Sequence, residues 1–476
     1  MAASSSLAAE RALAAPLHPA LPAALEVEGR RVAATLHPAS RLALAVRVSG
    51  APLPDGAAVL GVELDLPGGA QRLGPARFAA GGAPGAGLLY FRENLYDLHA
   101  LFAEGRVVDL RAVFDNLPAV LAQKARIHPE FREHVAEVAY DLSVYKRFFD
   151  DQDRLLSAEP PEAADAAGAA LLATEGRRFL AHLDARVREL EGVVRDYTRE
   201  EHERHGYYLR RQLWPYLATS ECLRRTNLKP SGYAGDAELM VMLYENAYVG
   251  TSTFGQLMHK YPVETRAADA VRARRRLVPR LAAQARARAP RRPGERFRML
   301  SVACGPAYEL LDVLGGREDL AQLECVLLDQ DPGALELARG VVRRVEAAHG
   351  GTAAVRYVQD SVRTMLRARD LEARLGRCGF VYSMGLFDYL TAPVARAVLA
   401  RSFGLLGPGG TMVVGNFHDR SPTRVYMDYW ADWPLTYRSE EAFLALADGL
   451  PCARSVVYDE TGCQMFLVLE RASGGA

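Results

Sequence analysis

The chain has no uninterrupted apolar run long enough to span a bilayer, no C-x-x-C pair, no His-paired metal spacing and almost no lysine. The first absence argues against a membrane-spanning helix, and the next two against a zinc-binding or dithiol protein. Its six cysteines, Cys222, Cys304, Cys325, Cys378, Cys452 and Cys463, are scattered, and several fall inside apolar strand patterns. They read as buried free thiols of a reducing compartment, so a cytoplasmic location and no metal are expected. Only Lys124, Lys146, Lys229 and Lys260 interrupt an otherwise all-arginine set of cations. Lys and Arg together number 58, matched by 58 Asp and Glu. No global field therefore draws the chain to nucleic acid or to an anionic membrane. The Ala- and Pro-rich start, residues 1–24, carries Glu10, Arg11, Pro16 and His18 inside its apolar stretch; it is expected to be disordered and does not read as a signal peptide.

At 476 residues the chain has room for two or three domains with large cores. Residues 25–94 show short strands between Gly and Pro turns, at Arg41–Val48, Ala58–Leu66 and Gly87–Phe91. That spacing predicts a small β-rich, barrel-like domain. Residues 95–290 are helical in character, with apolar spacing of three and four over Asp109–Phe148 and Leu171–Leu217. Leu155–Gly168, with Pro160-Pro161 and many alanines, reads as an exposed linker.

The most informative stretch is Met299-Leu300-Ser301-Val302-Ala303-Cys304-Gly305-Pro306-Ala307-Tyr308-Glu309-Leu310, an apolar strand that runs into a Gly-Pro turn and a helix. In an open parallel α/β sheet, ligands bind at the carboxyl ends of strands, where glycine admits close backbone approach and helix N-termini offer free N–H groups. A second strand, Leu323–Leu328, ends in Asp329-Gln330-Asp331-Pro332, which sets a carboxylate beside the first turn. Asp331 before Pro332 suits a helix cap, leaving Asp329 for a ribose diol. A third strand ends in Asp360-Ser361 and a fourth in Met384-Gly385-Leu386-Phe387-Asp388-Tyr389-Leu390. Asp360 fits an adenine contact or a helix cap equally. Thr411–Phe417 follows a Gly-Pro-Gly-Gly turn, and Arg454–Tyr458 with Cys463–Leu469 reads as a closing hairpin.

This order of elements resembles the class I S-adenosylmethionine-dependent methyltransferases over roughly residues 296 to 472. The resemblance implies a Rossmann-like seven-stranded α/β domain at 291–476, S-adenosyl-L-methionine as cofactor, and a small-molecule substrate. Carried onto this sequence, Ala303, Cys304 and Gly305 would face the methionine part, Asp329 and Gln330 the ribose, and Asp360 and Ser361 the adenine. Tyr382, Ser383 and Gly385 would close the pocket. The family's first motif usually opens on an acidic residue and carries two or three glycines, whereas Ser301 and the single Gly305 stand here. The N-terminal domain faintly resembles a PilZ-like barrel, without that family's arginine pair or its Asp-x-Ser-x-x-Gly, and is expected to serve packing or homo-oligomerisation.

Within the helical region, Asn227-Leu228-Lys229-Pro230-Ser231-Gly232-Tyr233-Ala234-Gly235-Asp236 has the composition of a functional loop. It is similar to a signature of the bacterial group associated with 3-hydroxy fatty acid methyl ester synthesis, as are Gly385–Leu390 and Trp433–Arg438. The resemblance implies a helical lid over the cofactor, with Lys229, Tyr233 and Asp236 at the cofactor, and methyl transfer to a carboxylate. A carboxylate is already ionised and needs only a positioning cation; an amine or hydroxyl needs a base. Arg438, Lys229 and His418 are the candidate cations, with Tyr389, Tyr233 and Tyr244 as donors or walls. His418, the first candidate for such a base, reads more readily as a polar loop residue, and Arg438 also reads as a partner of Glu440 or Glu441. A rival reading is a ligand-sensing regulator whose methyltransferase fold is inactive.

Overall fold

The computed structural model describes residues 20–39, 43–66, 69–91, 96, 101–102, 107, 124–290, 292 and 294–473. Contacts divide the chain into two compact units, Met1–Arg126 and Ile127–Ala476. The division falls well beyond residue 94, and the helical region shares its unit with the C-terminal sheet.

The first unit is built from strands β1 Leu21–Val27, β2 Arg30–Pro38, β3 Ala43–Val48, β4 Ala58–Leu66, β5 Gly69–Leu73, β6 Ala76–Ala80 and β7 Ala86–Phe91. They run in the order β1-β2-β3-β7-β6-β4-β5, and a further antiparallel pairing of β1 with β4 closes six of them into a barrel. Leu25, Leu36, Leu44, Val46, Val62, Leu64, Phe78 and Leu89 fill the interior, each at alternate strand positions, as a period of two requires. The barrel-like domain expected from the strand spacing is present. Its first strand begins at Leu21, inside the stretch read as disordered; the rest of that stretch, residues 1–19, lies outside the described residues.

The second unit opens with helices α1 Pro129–Leu156, α2 Pro161–Leu171, α3 Arg177–Val193, α4 Arg199–Leu217, α5 Glu221–Leu228, α6 Ala237–Glu245, α7 Thr253–Val263 and α8 Arg266–Arg288. The presumed linker is largely α2. Pro161 sits in its first turn, where a missing N–H costs nothing, and alanine continues it. The helical run expected before Phe148 is described only from Lys124 onward; residues 108–123 lie outside the described residues. Phe131, Val135, Leu142, Phe179, Leu183, Leu209, Leu213 and Leu257 form the helical core, and Tyr426, Tyr429 and Trp430 from far along the chain complete it. This insertion makes helices and sheet one body.

The sheet comprises β8 Phe297–Val302, β9 Leu323–Asp329, β10 Ala354–Gln359, β11 Cys378–Ser383, β12 Leu406–Phe417, β13 Cys452–Tyr458 and β14 Gln464–Arg471. Its order is β10-β9-β8-β11-β12-β14-β13. The pairings among β10, β9, β8, β11 and β12 are parallel, and β14 runs antiparallel to both β12 and β13. This is the Rossmann-like seven-stranded fold expected, with its one reversed strand supplied by the terminal hairpin. Alternate residues feed opposite faces: Cys325 and Leu327 enter one core, Val326 and Leu328 the other. Helix α8 joins the two regions. Ala267, Ala270 and Val271 pack with α6 and the C-terminal loops, while Leu277, Val278, Leu281 and Ala285 lie on the sheet. Among the described residues, no helix is long and apolar enough to cross a membrane.

Candidate active site

A cavity of about 390 Å³ opens at the carboxyl ends of β8, β9, β10 and β11, where a doubly wound sheet receives its ligands. The turn after β8 forms its floor. Ala303, Gly305 and Ala307 all hold left-handed backbone, at φ +54°, +54° and +52°. Only one of the three is glycine, so the two alanines are held in a conformation that costs of order 1–3 kcal/mol each and that glycine would take freely. The departures from the glycine-rich motif are thus absorbed as local strain. The Gly305 N–H donates to Asp329 Oδ2 at 2.8 Å, and Asp331 N–H donates to Oδ1 at 3.0 Å. Asp331 itself caps the helix that starts at Pro332 by accepting from Gly333 N–H. Burial pushes the Asp329 carboxyl above the ordinary range, opposed by those two N–H groups. Burial likewise holds Cys304, also on the wall, as a thiol.

The structure brings Ala303, Cys304, Gly305, Asp329, Gln330, Asp360, Gly385, Tyr233, Tyr244 and Tyr389 to this one cavity. Asp360 also pairs with Arg374, which holds its carboxyl low. The hydroxyl of Tyr389 accepts from Trp433 Nε1–H at 2.7 Å, and its ring meets Tyr233 edge-on. Gly235 lies against this pair. A Cβ there would stand 2.2 Å from the Tyr389 hydroxyl and 2.7 Å from the Trp433 ring. Gly235→Ala is therefore expected to separate the two rings and to cost about 1–3 kcal/mol of stability, read by urea denaturation with tryptophan fluorescence as probe. An unchanged midpoint and emission would show that the wall is soft.

Seven of the residues singled out in the sequence do not reach the cavity wall, among them Tyr382, which lies buried beneath it with its hydroxyl on Glu309. Ser361 caps the helix Val362–Arg367, and Ser383 Oγ–H donates to Val302 O, tying β11 to β8. Lys229 ends α5 in a left-handed conformation and pairs with Asp432. Asp236 caps α6 and holds Arg225 and Ser231. His418 Nδ1 accepts from Arg420 N–H at 2.9 Å, in a turn beside Asp419. Arg438 pairs with neither Glu440 nor Glu441; buried, it donates to the carbonyls of Phe387 and Leu390 and to Asn416 Oδ1, and so latches the loop that carries Tyr389. These polar groups are consumed by holding the loops that shape the cavity.

Three buried charged residues on the wall escaped the sequence reading. Arg274, from α8, donates to Met384 O at 3.2 Å and to the Tyr244 hydroxyl at 3.3 Å. It is the one cation on the wall among the described residues, and it forms no ion pair there. A signal for it existed: Ala267, Ala270, Val271, Arg274, Val278 and Leu281 mark one apolar stripe at helical spacing, and an arginine inside such a stripe asks for a buried partner. Glu309 accepts from the Tyr382 hydroxyl at 2.9 Å, and burial pushes its carboxyl up. Ser301 and Glu309 share the wall, so a carboxylate does stand near the motif's first position, supplied from eight residues downstream. Asp388 is buried, with Oδ1 accepting from Phe417 N–H at 2.7 Å.

The wall is thus polar around Asp329, Gln330 and Asp360, and apolar around Met240, Val271, Phe417, Trp433 and Leu435. A second cavity of about 30 Å³, lined by Cys222, Thr226, Leu243 and Ala268, lies behind Val271, Phe417 and Trp433. Among the described residues no cluster of His, Cys, Asp or Glu is arranged to hold a metal ion.

No family model matches this chain, and no curated protein matches it. Among solved structures it is similar to a possible exported protein from Bordetella parapertussis, at 18% identity and a TM-score of 0.42 over 62% of this chain and 97% of that one. It is also similar to an O-methyltransferase family protein from Burkholderia thailandensis, at 19% identity and a TM-score of 0.35 over 75% and 98% of the two chains. A third similar structure is magnesium protoporphyrin IX methyltransferase from Synechocystis PCC 6803 with bound S-adenosylmethionine, at 10% identity and a TM-score of 0.31 over 43% and 83%.

Proposed function

We propose that the chain is an S-adenosylmethionine-dependent methyltransferase acting on a small molecule. The observation that carries this reading is the single cavity that runs from the Asp329 carboxylate, over the left-handed Gly305 turn, to an apolar end closed by Tyr233, Tyr389 and Trp433. The residues present fit such a cofactor. Asp329 offers a carboxylate to a diol, and Glu309, buried on the same wall, offers a carboxylate to an amine. When bound, S-adenosylmethionine supplies a methyl group on an electrophilic sulfonium. The protein's own share is then alignment and the exclusion of water. Calorimetric titration of the full chain with S-adenosylmethionine tests the reading, and absence of binding sinks it.

For the acceptor we propose the carboxylate of a 3-hydroxy fatty acid. The three loop motifs support this, as do the apolar end of the cavity and the small apolar cavity behind it. Arg274 takes over the role that the sequence offered to Lys229, His418 and Arg438: it can position a carboxylate without removing a proton. Arg274→Met is expected to raise the KM for such an acid by about 10–100-fold, the worth of one lost charged hydrogen bond, with cofactor affinity unchanged. A fall in cofactor affinity instead would assign Arg274 to the cofactor. A second reading, an amine or hydroxyl acceptor, is favoured by Asp388, a buried carboxyl able to take a proton. Mass spectrometry separates the two: labelled methyl appears in an alkali-labile ester or in a stable ether or amine.

A further inference from the structure

Asp388 is placed unlike the other acids of the cavity. It sits at the apolar end, past the Met384-Gly385 turn, on a short 3-10 turn Phe387–Tyr389. One oxygen is fixed by the Phe417 N–H, while among the described residues the other accepts no hydrogen bond and the carboxyl joins no ion pair. The charged and titratable groups around it are Arg274 on α8, Arg438 and Tyr437 on the segment after β12, and Tyr389 on its own turn. Arg274 and Arg438 spend hydrogen bonds on carbonyls instead of on this carboxyl. The result is a carboxyl with an incomplete partner set, at the apolar end of the cavity that the reading above gives to the methyl acceptor.

We propose that Asp388 reads the charge of the ligand: it stands ionised opposite the sulfonium of S-adenosylmethionine and takes up a proton when the neutral thioether product, S-adenosylhomocysteine, replaces it. The inference rests on the cofactor reading above and holds for either class of acceptor. Burial raises the carboxyl to about 7, so the exchange falls where a small change in local charge decides the protonation state. The sign follows directly. A cationic ligand lowers the carboxyl's affinity for protons, so its binding releases one, and its affinity rises with pH until Asp388 is ionised without it. The thioether gives no such term. The two ligands share their ribose and amino-acid ends, so protonation changes at Asp329 or Glu309 cancel in the difference between them, and the more acidic amine of the sulfonium ligand titrates alike in the wild type and in Asp388→Asn.

The test is calorimetry of the full chain with each ligand, in buffers of different ionisation enthalpy, from pH 6 to 8. At pH 6.5 the sulfonium ligand is expected to release up to roughly three-quarters of a proton more than the thioether. The affinity ratio of sulfonium to thioether should climb by up to about tenfold per pH unit below about 7 and level off above it. Asp388→Asn, which keeps an oxygen for the Phe417 N–H, should flatten that ratio and lower sulfonium affinity at pH 8 while leaving thioether affinity and the melting temperature of the thioether complex in place. Equal proton release by the two ligands at pH 6.5, or a rise in the ratio between pH 6 and 7 that survives in Asp388→Asn, overturns the proposal while the cofactor reading stands. Failure of both ligands to bind overturns the two together.

Discussion

Asp329→Ala is expected to weaken S-adenosylmethionine binding at least about tenfold, or roughly 1.4 kcal/mol, measured by calorimetry. Both carboxylate oxygens already accept backbone N–H groups, from Gly305 and Asp331. Truncation therefore removes the group assigned to the ribose and also releases the turn that carries Gly305. Asp331→Ala supplies the comparison: it deletes only the cap of the helix at Pro332, worth about 1 kcal/mol of stability, two residues from the same cavity. Cofactor affinity should survive that change. Equal affinity in the wild type and in Asp329→Ala would remove the carboxylate from the site.

The largest loss of stability is expected from Asp236→Ala. Its carboxylate is 1% exposed and receives Arg225 at 2.7 Å, Ser231 Oγ at 2.9 Å and Leu239 N–H at 3.0 Å. Removing it leaves the Arg225 guanidinium, itself only 14% exposed, with the solvent-facing Glu238 as its carboxylate partner. Breaking a buried pair from one side costs about 3 kcal/mol or more, and the lost helix cap adds to it. Urea denaturation should show the shift, and cofactor affinity should fall with it because Tyr233 and Gly235 lose their footing. A change below about 0.5 kcal/mol, the range of ordinary surface substitutions, would mean that the loop stands without Asp236.

The sheet was legible because its strands are buried on both faces and each ends in a recognisable polar turn. Val326 and Leu328 face one core, Cys325 and Leu327 the other, and the resulting apolar run needs no alternation to be read as a strand. The assignment of the cap to Asp331 and of the cavity to Asp329 followed from Pro332 alone. The Lys229–Asp236 loop was recognisable as special, yet its residues divide by direction: Tyr233 and Gly235 face the cavity, while Lys229 and Asp236 hold the loop from behind. Composition marks such a loop without saying which way a side chain turns. Arg438 and His418 misled for the same reason, since their polar atoms are spent on neighbouring backbone. Arg274 was hidden among the many arginines of α8, and Asp388 lay unexamined inside a quoted motif. In the barrel, β1 is too alanine-rich to announce itself, and its pairing with β4 is a long-range contact that no local pattern encodes.

Helix α8 has a mechanical consequence. It is one rod of 23 residues, about 35 Å long, whose first half is cemented beside the apolar end of the cavity and whose second half is cemented to the sheet. Arg274 lies between the two anchorages and grips the end of β11 through Met384 O. A rod pinned at both ends cannot act as a hinge, so the cavity cannot be opened by swinging the helices away from the sheet without melting a core. The eight residues between α5 and α6 differ from this frame: Tyr233 and Gly235 stand on the cavity wall, and the Arg225–Asp236 pair holds them from behind.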